Sequence, residues 1–462
     1  MNVAYAPRDV AARFSRAALL YFVVVGILGT WLRARFVGLM PLSLQPANVI
    51  HAHSHVAFFG WASVALFGGI YYVLPQLTGR PLTGVSVIRW QLRLIHVSTI
   101  GALITFAAGG YTPASIVFST LNGLLWYVFV WVYWKNVTDL PRPLPGPLRY
   151  WHVAVTLLVL SSTGTWLVSA VTATGMDAPL LEAAGLHLFL NNFIDGWLVI
   201  GLLGLTTFVL SSSRADDAAS GESEWAARPL VAIAVLTPVS FLADLAQAGL
   251  PMAWASVGVA ARTALAVPYT LFFVRAARRF RELGQAASMS APDDRKPTAA
   301  PAVSNVYWLA AALFFAGKIV SHAASAAAVI VPSRQLFIAY LHLNLLGFFS
   351  CGALALLAGL AVAPRFGAER AADVHSVPVH RSGSALTAVS ALVVAIGVAG
   401  MVVALFGAAA ADTVWRTGDR VLVERLLQAA FVFAGVSLVG MGAASLDVWR
   451  RWGNEGISSG AK

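Results

Sequence analysis

The chain has 462 residues, 58% of them hydrophobic and 11% charged, with a mean hydropathy of +0.75. Soluble domains carry about 25% charged residues, so water-soluble folds are excluded, and collagen-like, disordered and disulfide-framework classes with them. One cysteine, Cys351, allows no intrachain disulfide, and the net charge of +11 points to loops beside anionic lipid, not to nucleic acid.

A bilayer core of about 30 Å needs about 20 apolar residues per helix. Stretches of that kind lie at roughly 15–40, 48–77, 88–108, 112–134, 148–173, 182–210, 227–248, 253–277, 305–331, 334–361, 384–406 and 425–447. The expectation is an all-α polytopic membrane protein, a single domain over 1–462 with twelve transmembrane helices. The first stretch is too long for a signal-peptide core and has no convincing cleavage site, so it reads as a retained helix. With the N-terminus inside, 23 of the 31 Lys and Arg fall on inner segments and six on outer ones. Arg262 and Lys318 lie within spans. The asymmetry predicts an inner (cytoplasmic) membrane protein with both termini cytoplasmic. The longest loop, 282–304, is polar and rich in Pro, Ala and Ser, and reads as a disordered cytoplasmic linker. The 211–227 loop is acidic and polar.

Five of the ten histidines form a pattern. His51, His53 and His55 open the second span, His187 the sixth and His342 the tenth. All three spans run from outside to inside, so the clusters share one depth and recur every four helices. This predicts three pseudo-symmetric four-helix arcs. His55 and His342 each stand five residues before a glycine, Gly60 and Gly347. His53 and His55 point to opposite sides of their helix, and His51 shares the His55 face. A histidine at a membrane interface is commonly a hydrated side chain. Three clusters at one depth and one period are better explained by metal or haem ligation.

Other polar groups divide more plainly. Asp244 and Arg262 stand on consecutive helices and read as a buried ion pair. Lys318 near mid-span is read as snorkelling or meeting a carbonyl. His322, one turn further out, is either a cofactor's outer partner or hydrated. His96 reads as a satisfied core histidine; His152, His375 and His380 read as solvated.

These residues resemble subunit I of the haem–copper oxidase superfamily, which includes the large subunit of nitric oxide reductases. His53-Ser-His55-Val-Ala-Phe-Phe-Gly60 through Tyr72-Val-Leu-Pro75-Gln-Leu-Thr-Gly79 is similar to that family's tenth-helix haem signature, here on the second helix. His187, Asn191 and Asp195 match the sixth-helix pattern of His followed at four and eight residues by Glu. The resemblance implies an oxidoreductase passing electrons to oxygen or nitric oxide, with a small cytochrome or other redox subunit as partner. It implies a low-spin bis-His haem b held by His342 and one of His55, His51 or His53. Tyr340 falls at the ligand position of a second haem, and His187 with Asp195 at a non-haem metal. Arg416 and Arg420 match loop arginines that pair with haem propionates, with a solvated loop as the equal alternative. The seventh span has no histidine, so the family's three-His cage is absent. That departure gives the alternative of a non-catalytic haem or metal protein serving nitric oxide response, sensing or oxidase maturation. A twelve-helix transporter, repeating six plus six with its main loop after the sixth helix, fits less well.

Overall fold

The computed structural model describes residues 7–39, 44–211, 227–289, 303–324, 334–361, 385–414 and 420–454. Among them twelve helices are long and apolar enough to cross a membrane. In chain order they are α1 (Pro7–Phe36), α2 (Pro46–Thr78), α3 (Val85–Gly109), α4 (Pro113–Val137), α5 (Gly146–Thr174), α6 (Pro179–Ser211), α7 (Arg228–Ala248), α8 (Met252–Leu283), α9 (Val306–Ala323), α10 (Gln335–Ala361), α11 (Ala388–Asp412) and α12 (Arg420–Trp452). The protein is an all-α, multi-pass membrane protein. The first helix begins earlier than its apolar run, because Arg8, Arg13 and Arg16 are accommodated at its end. The backbone of α8 stays helical to Met289, into the segment read as linker. Its residues Glu282 to Met289 include several good helix formers. Residues 290–302 of that loop lie outside the described residues, as do Arg416, His375, His380 and most of the 211–227 loop.

Local sequence accounts for the helix ends. Proline stands in the first turn of α2, α4, α5 and α6, where its missing N–H costs no helical bond. Gly79 and Gly175 close α2 and α5 at φ +65° and +61°, a conformation glycine adopts without strain. Arginines satisfy carbonyls left open at C-terminal ends: Arg8 donates to the Ala361 carbonyl (2.6 Å) and Arg16 to that of Trp452 (2.8 Å).

Burial separates the helices into two classes. In α2, α6 and α10, 89%, 94% and 83% of the best apolar window is buried inside the protein, against 33–50% for the other nine. These three helices touch one another and form the centre; the remaining helices surround them. Outward residues such as Ile104, Val403 and Val439 are exposed and apolar, as a lipid-facing surface requires. Each group of four consecutive helices therefore contributes one inner member.

The repeat extends to backbone detail. Each inner helix widens into a π-helical segment at the same place: Val56–Ala62, Asn192–Ile200 and Leu343–Phe349. Each segment holds a glycine at its fifth residue, Gly60, Gly196 and Gly347. A Cβ there would meet Tyr21 of α1, Leu157 of α5 and Phe314 of α9 at 2.7–2.8 Å. The helix preceding each inner helix thus presses a side chain onto that glycine. The α5–α6 crossing is closer still. A Cβ on Gly164 would lie 2.4 Å from the Gly185 carbonyl oxygen, and one on Gly185 would lie 2.8 Å from that of Gly164. Backbone cannot yield as a flexible side chain can, so Gly164→Ala is expected to cost about 1–3 kcal/mol. Gly123→Ala in α4, where a Cβ meets nothing within 4 Å, should be neutral or stabilising. Fluorescence-detected thermal unfolding in detergent compares the two; equal behaviour would refute the close crossing.

Candidate functional site

The shared register assigns one residue per inner helix to the position just before the π segment. These are His55, Asn191 and His342. His187 lies a full turn further out, level with His51 and Ile338, so the three histidine clusters are not strictly equivalent. The signal was in the sequence: Asn191 precedes Gly196 by five residues, as His55 and His342 precede their glycines.

At two of these positions the ring is oriented alike. Nδ1 of His55 donates to the His51 carbonyl (2.9 Å), and Nδ1 of His342 to that of Ile338 (2.7 Å). A carbonyl only accepts, so the proton sits on Nδ1 and the Nε2 lone pair is left for a ligand. At the third position, Asn191 is fully used by α7. Pro238 breaks that helix, and residues Phe241–Ala248 tighten into a 3₁₀ turn. The Thr237 carbonyl accepts from Asn191 Nδ2 (2.7 Å), and Ser240 Oγ donates to Asn191 Oδ1 (2.9 Å). In a membrane every freed backbone group needs such a partner.

His53 and His55 do separate to opposite sides. His55 lies among aromatics, its ring centroid 4.3 Å from Phe106 and 5.6 Å from Phe59, and His51 packs edge-on to Tyr111. His53 faces α1, where Gly29 makes room: a Cβ there would lie 3.1 Å from His53 Cε1. Nδ1 of His53 is buried without a hydrogen-bond partner among the described residues. His53 and His342 lie within electrostatic reach of each other and of Arg33. The Arg33 side chain, at the end of α1, is 8% exposed and makes no hydrogen bond or ion pair with any described residue. Arg33 is one of the six basic residues assigned to outer segments by sequence, and its approach to two histidines depends on how α1 packs on α2 and α12. Arg420 is exposed at the start of α12.

A second polar cluster fills the space between α6, α9 and α10. Lys318 is wholly buried, and its Nζ donates to Asp195 Oδ1 (2.6 Å). The Tyr340 hydroxyl donates to Asp195 Oδ2 (2.8 Å) and accepts from Lys318 (3.3 Å). Lys318 neither snorkels nor meets a carbonyl; it is neutralised by a carboxylate 123 residues away in sequence. His322 is 1% exposed, so it is not hydrated, and neither ring nitrogen has a partner among the described residues. Its ring lies 5.4 Å from that of Tyr269.

His187 and Asp195, expected to share a metal, belong to different contacts. His187 Nδ1 is 3.7 Å from Asp244 Oδ2, and Asp244 pairs with Arg262 through two hydrogen bonds. The expected Asp244–Arg262 pair forms, but it is part-buried and not buried, its side chains 27% and 16% exposed. Arg262 also donates to the Ser240 carbonyl (3.0 Å), another group freed by the break in α7. Among the described residues no group of three or more His, Cys, Asp or Glu is arranged to hold a metal ion. His96 meets the Tyr21 hydroxyl (2.8 Å), as a satisfied core histidine should. His152 is half-buried between Leu148 and Tyr133, not solvated.

No protein-family model matches the chain, and no curated protein matches it.

Proposed function

We propose that this protein carries a low-spin b-type haem between α1, α2 and α10, with His53 and His342 as its axial ligands. The observation that carries this reading is the cluster of His53, His342 and a nearly buried Arg33 that has no ion-pair partner among the described residues. A buried guanidinium without a counter-charge is costly, and a haem propionate would neutralise it. The fit is chemical. Both imidazoles have an unshared ring nitrogen, and His342 is fixed in one tautomer by its Nδ1 bond to Ile338. A bis-imidazole haem supplies one-electron transfer. The chain supplies orientation through Ile338, charge balance through Arg33 and close packing through Gly29. The partner this implies is a small cytochrome or another redox subunit. The deciding experiment is a reduced-minus-oxidised visible spectrum of the purified protein with a pyridine haemochrome assay. Protein expressed with ample haem that shows no haem bands would overturn the proposal.

Of the two activities implied by the resemblance, the non-catalytic one is favoured by the α6–α9–α10 cluster. Oxygen or nitric oxide reduction needs an open haem position facing a second metal. Here Tyr340 and both oxygens of Asp195 are engaged with Lys318 and each other. An ammonium supplies the positive charge that a metal would otherwise bring. The role proposed is therefore haem-dependent electron transfer or sensing. Purified, haem-loaded protein with an artificial donor is expected to consume oxygen and nitric oxide far more slowly than a complete oxidase or reductase. Rapid turnover lost in His187→Ala would reverse this choice.

The positive-charge balance supports an inner-membrane location with both termini cytoplasmic. Cys351 is fully buried, so labelling background is low. A cysteine introduced by Ser288→Cys should react with an impermeant maleimide only after cells are opened. Labelling in sealed cells would invert the topology.

A further inference from the structure

We propose that a groove between α1, α3 and α12, at the arginine-rich end of the helices, binds the phosphate headgroup of an anionic phospholipid. This inference is independent of the haem reading. The groove is lined by four arginines, Arg13 and Arg16 from α1 and Arg89 and Arg93 from α3, with Trp449 of α12 beside them. Among the described residues no carboxylate lines it. Arg13 and Arg89 have further interactions of their own, so the capacity for an added anion rests with Arg16 and Arg93.

The arginines are presented and not scattered. Arg16 is held by its bond to the Trp452 carbonyl and lies 5.7 Å from the Trp449 ring. Its Nε remains buried without a hydrogen-bond partner among the described residues. Arg93 rests 4.7 Å from the Trp90 ring, and its guanidinium makes no hydrogen bond or ion pair with a described residue. Guanidinium groups bind phosphate oxygens in pairs of parallel hydrogen bonds, so both have unused capacity for this ligand.

Phosphate chemistry has two sources, a lipid headgroup and a soluble phosphate ester. The remaining wall selects the lipid. Leu20, Ile88 and Leu92 line the groove next to the arginines, and Leu20 and Trp90 are exposed on the lipid-facing surface. An acyl chain running along α1 and α3 would cover them. By the charge balance this end faces the cytoplasmic leaflet, where anionic lipids attract basic side chains.

The test uses the full-length protein in detergent, read by native mass spectrometry and thermal shift. Phosphatidylglycerol should remain bound and raise the melting temperature, and phosphatidylcholine and glycerol 3-phosphate should not. Arg16→Gln with Arg93→Gln should lower phosphatidylglycerol affinity by about tenfold or more, as loss of charge-assisted hydrogen bonds does. Haem content should be unchanged by that pair. Should the double variant fail to fold, competition on the wild type decides: phosphatidylglycerol retained over phosphatidylcholine at low salt, with the preference fading at high salt. Equal retention of both lipids would overturn the proposal. So would a double variant that binds as the wild type does. Stabilisation by glycerol 3-phosphate alone would replace the lipid with a soluble phosphate ester.

Discussion

Lys318→Met is expected to lower the stability of the folded protein by about 3–5 kcal/mol, the usual cost of removing one partner from a buried ion pair. The Lys318 side chain has no exposure, and Asp195 is only 2% exposed. With the ammonium gone, the carboxylate keeps only the hydroxyl of Tyr340, and an uncompensated charge remains at the centre of the helix assembly. Much of that penalty belongs to the stranded charge, not to the bond. Lys318→Met combined with Asp195→Asn should therefore recover most of the loss, because a neutral amide can still accept from Tyr340. Apparent melting temperature in detergent, measured for both single variants and the double, forms the cycle that separates the two contributions. A Lys318→Met protein as stable as the wild type would show that the pair is not structural.

His342→Ala and His53→Ala are each expected to abolish the low-spin haem spectrum, while His55→Ala leaves it. The structure distinguishes the two α2 histidines by their surroundings. His53 shares the side of α2 with Gly29, Arg33 and His342, and His55 is enclosed by Phe59 and Phe106. Loss of either true ligand leaves a five-coordinate iron that cannot stay low-spin. Arg33→Gln should weaken haem retention without changing the spin state, since it removes charge balance and no ligand. Melting temperatures of the haem-free variants guard against misfolding. If His55→Ala removes the spectrum and His53→Ala does not, the axial pair is His55 and His342 and the role of Arg33 falls with the revision.

The fold was largely legible because apolar length and charge placement are one-dimensional properties. Twelve runs of sufficient length demand twelve helices in a bilayer, and the basic residues sort them by side. The four-helix recurrence of histidines at α2, α6 and α10 suggested three arcs, and burial shows that these same helices form the centre. The equal spacing from His55 to Gly60 and from His342 to Gly347 already held the register that the π segments express.

The sequence could not decide between contacts that depend on helix rotation and depth. His187 is a conspicuous residue, yet Gly196 against Leu157 sets the depth of α6 so that Asn191 takes the equivalent place. Asp195 is taken by Lys318 of α9 and Tyr340 of α10, while His187 meets Asp244 of α7, and none of these partners is near in sequence. Lys318 looked free to snorkel, because its partner Asp195 lies on another helix far away in sequence. Hydrophobicity along the chain determined which segments are long and apolar enough to cross a membrane. Only the packing of α1 on α2 and of α9 on α6 and α10 decided which charges are paired. Burial makes an unpaired charge costly, so those pairings depend on three-dimensional proximity.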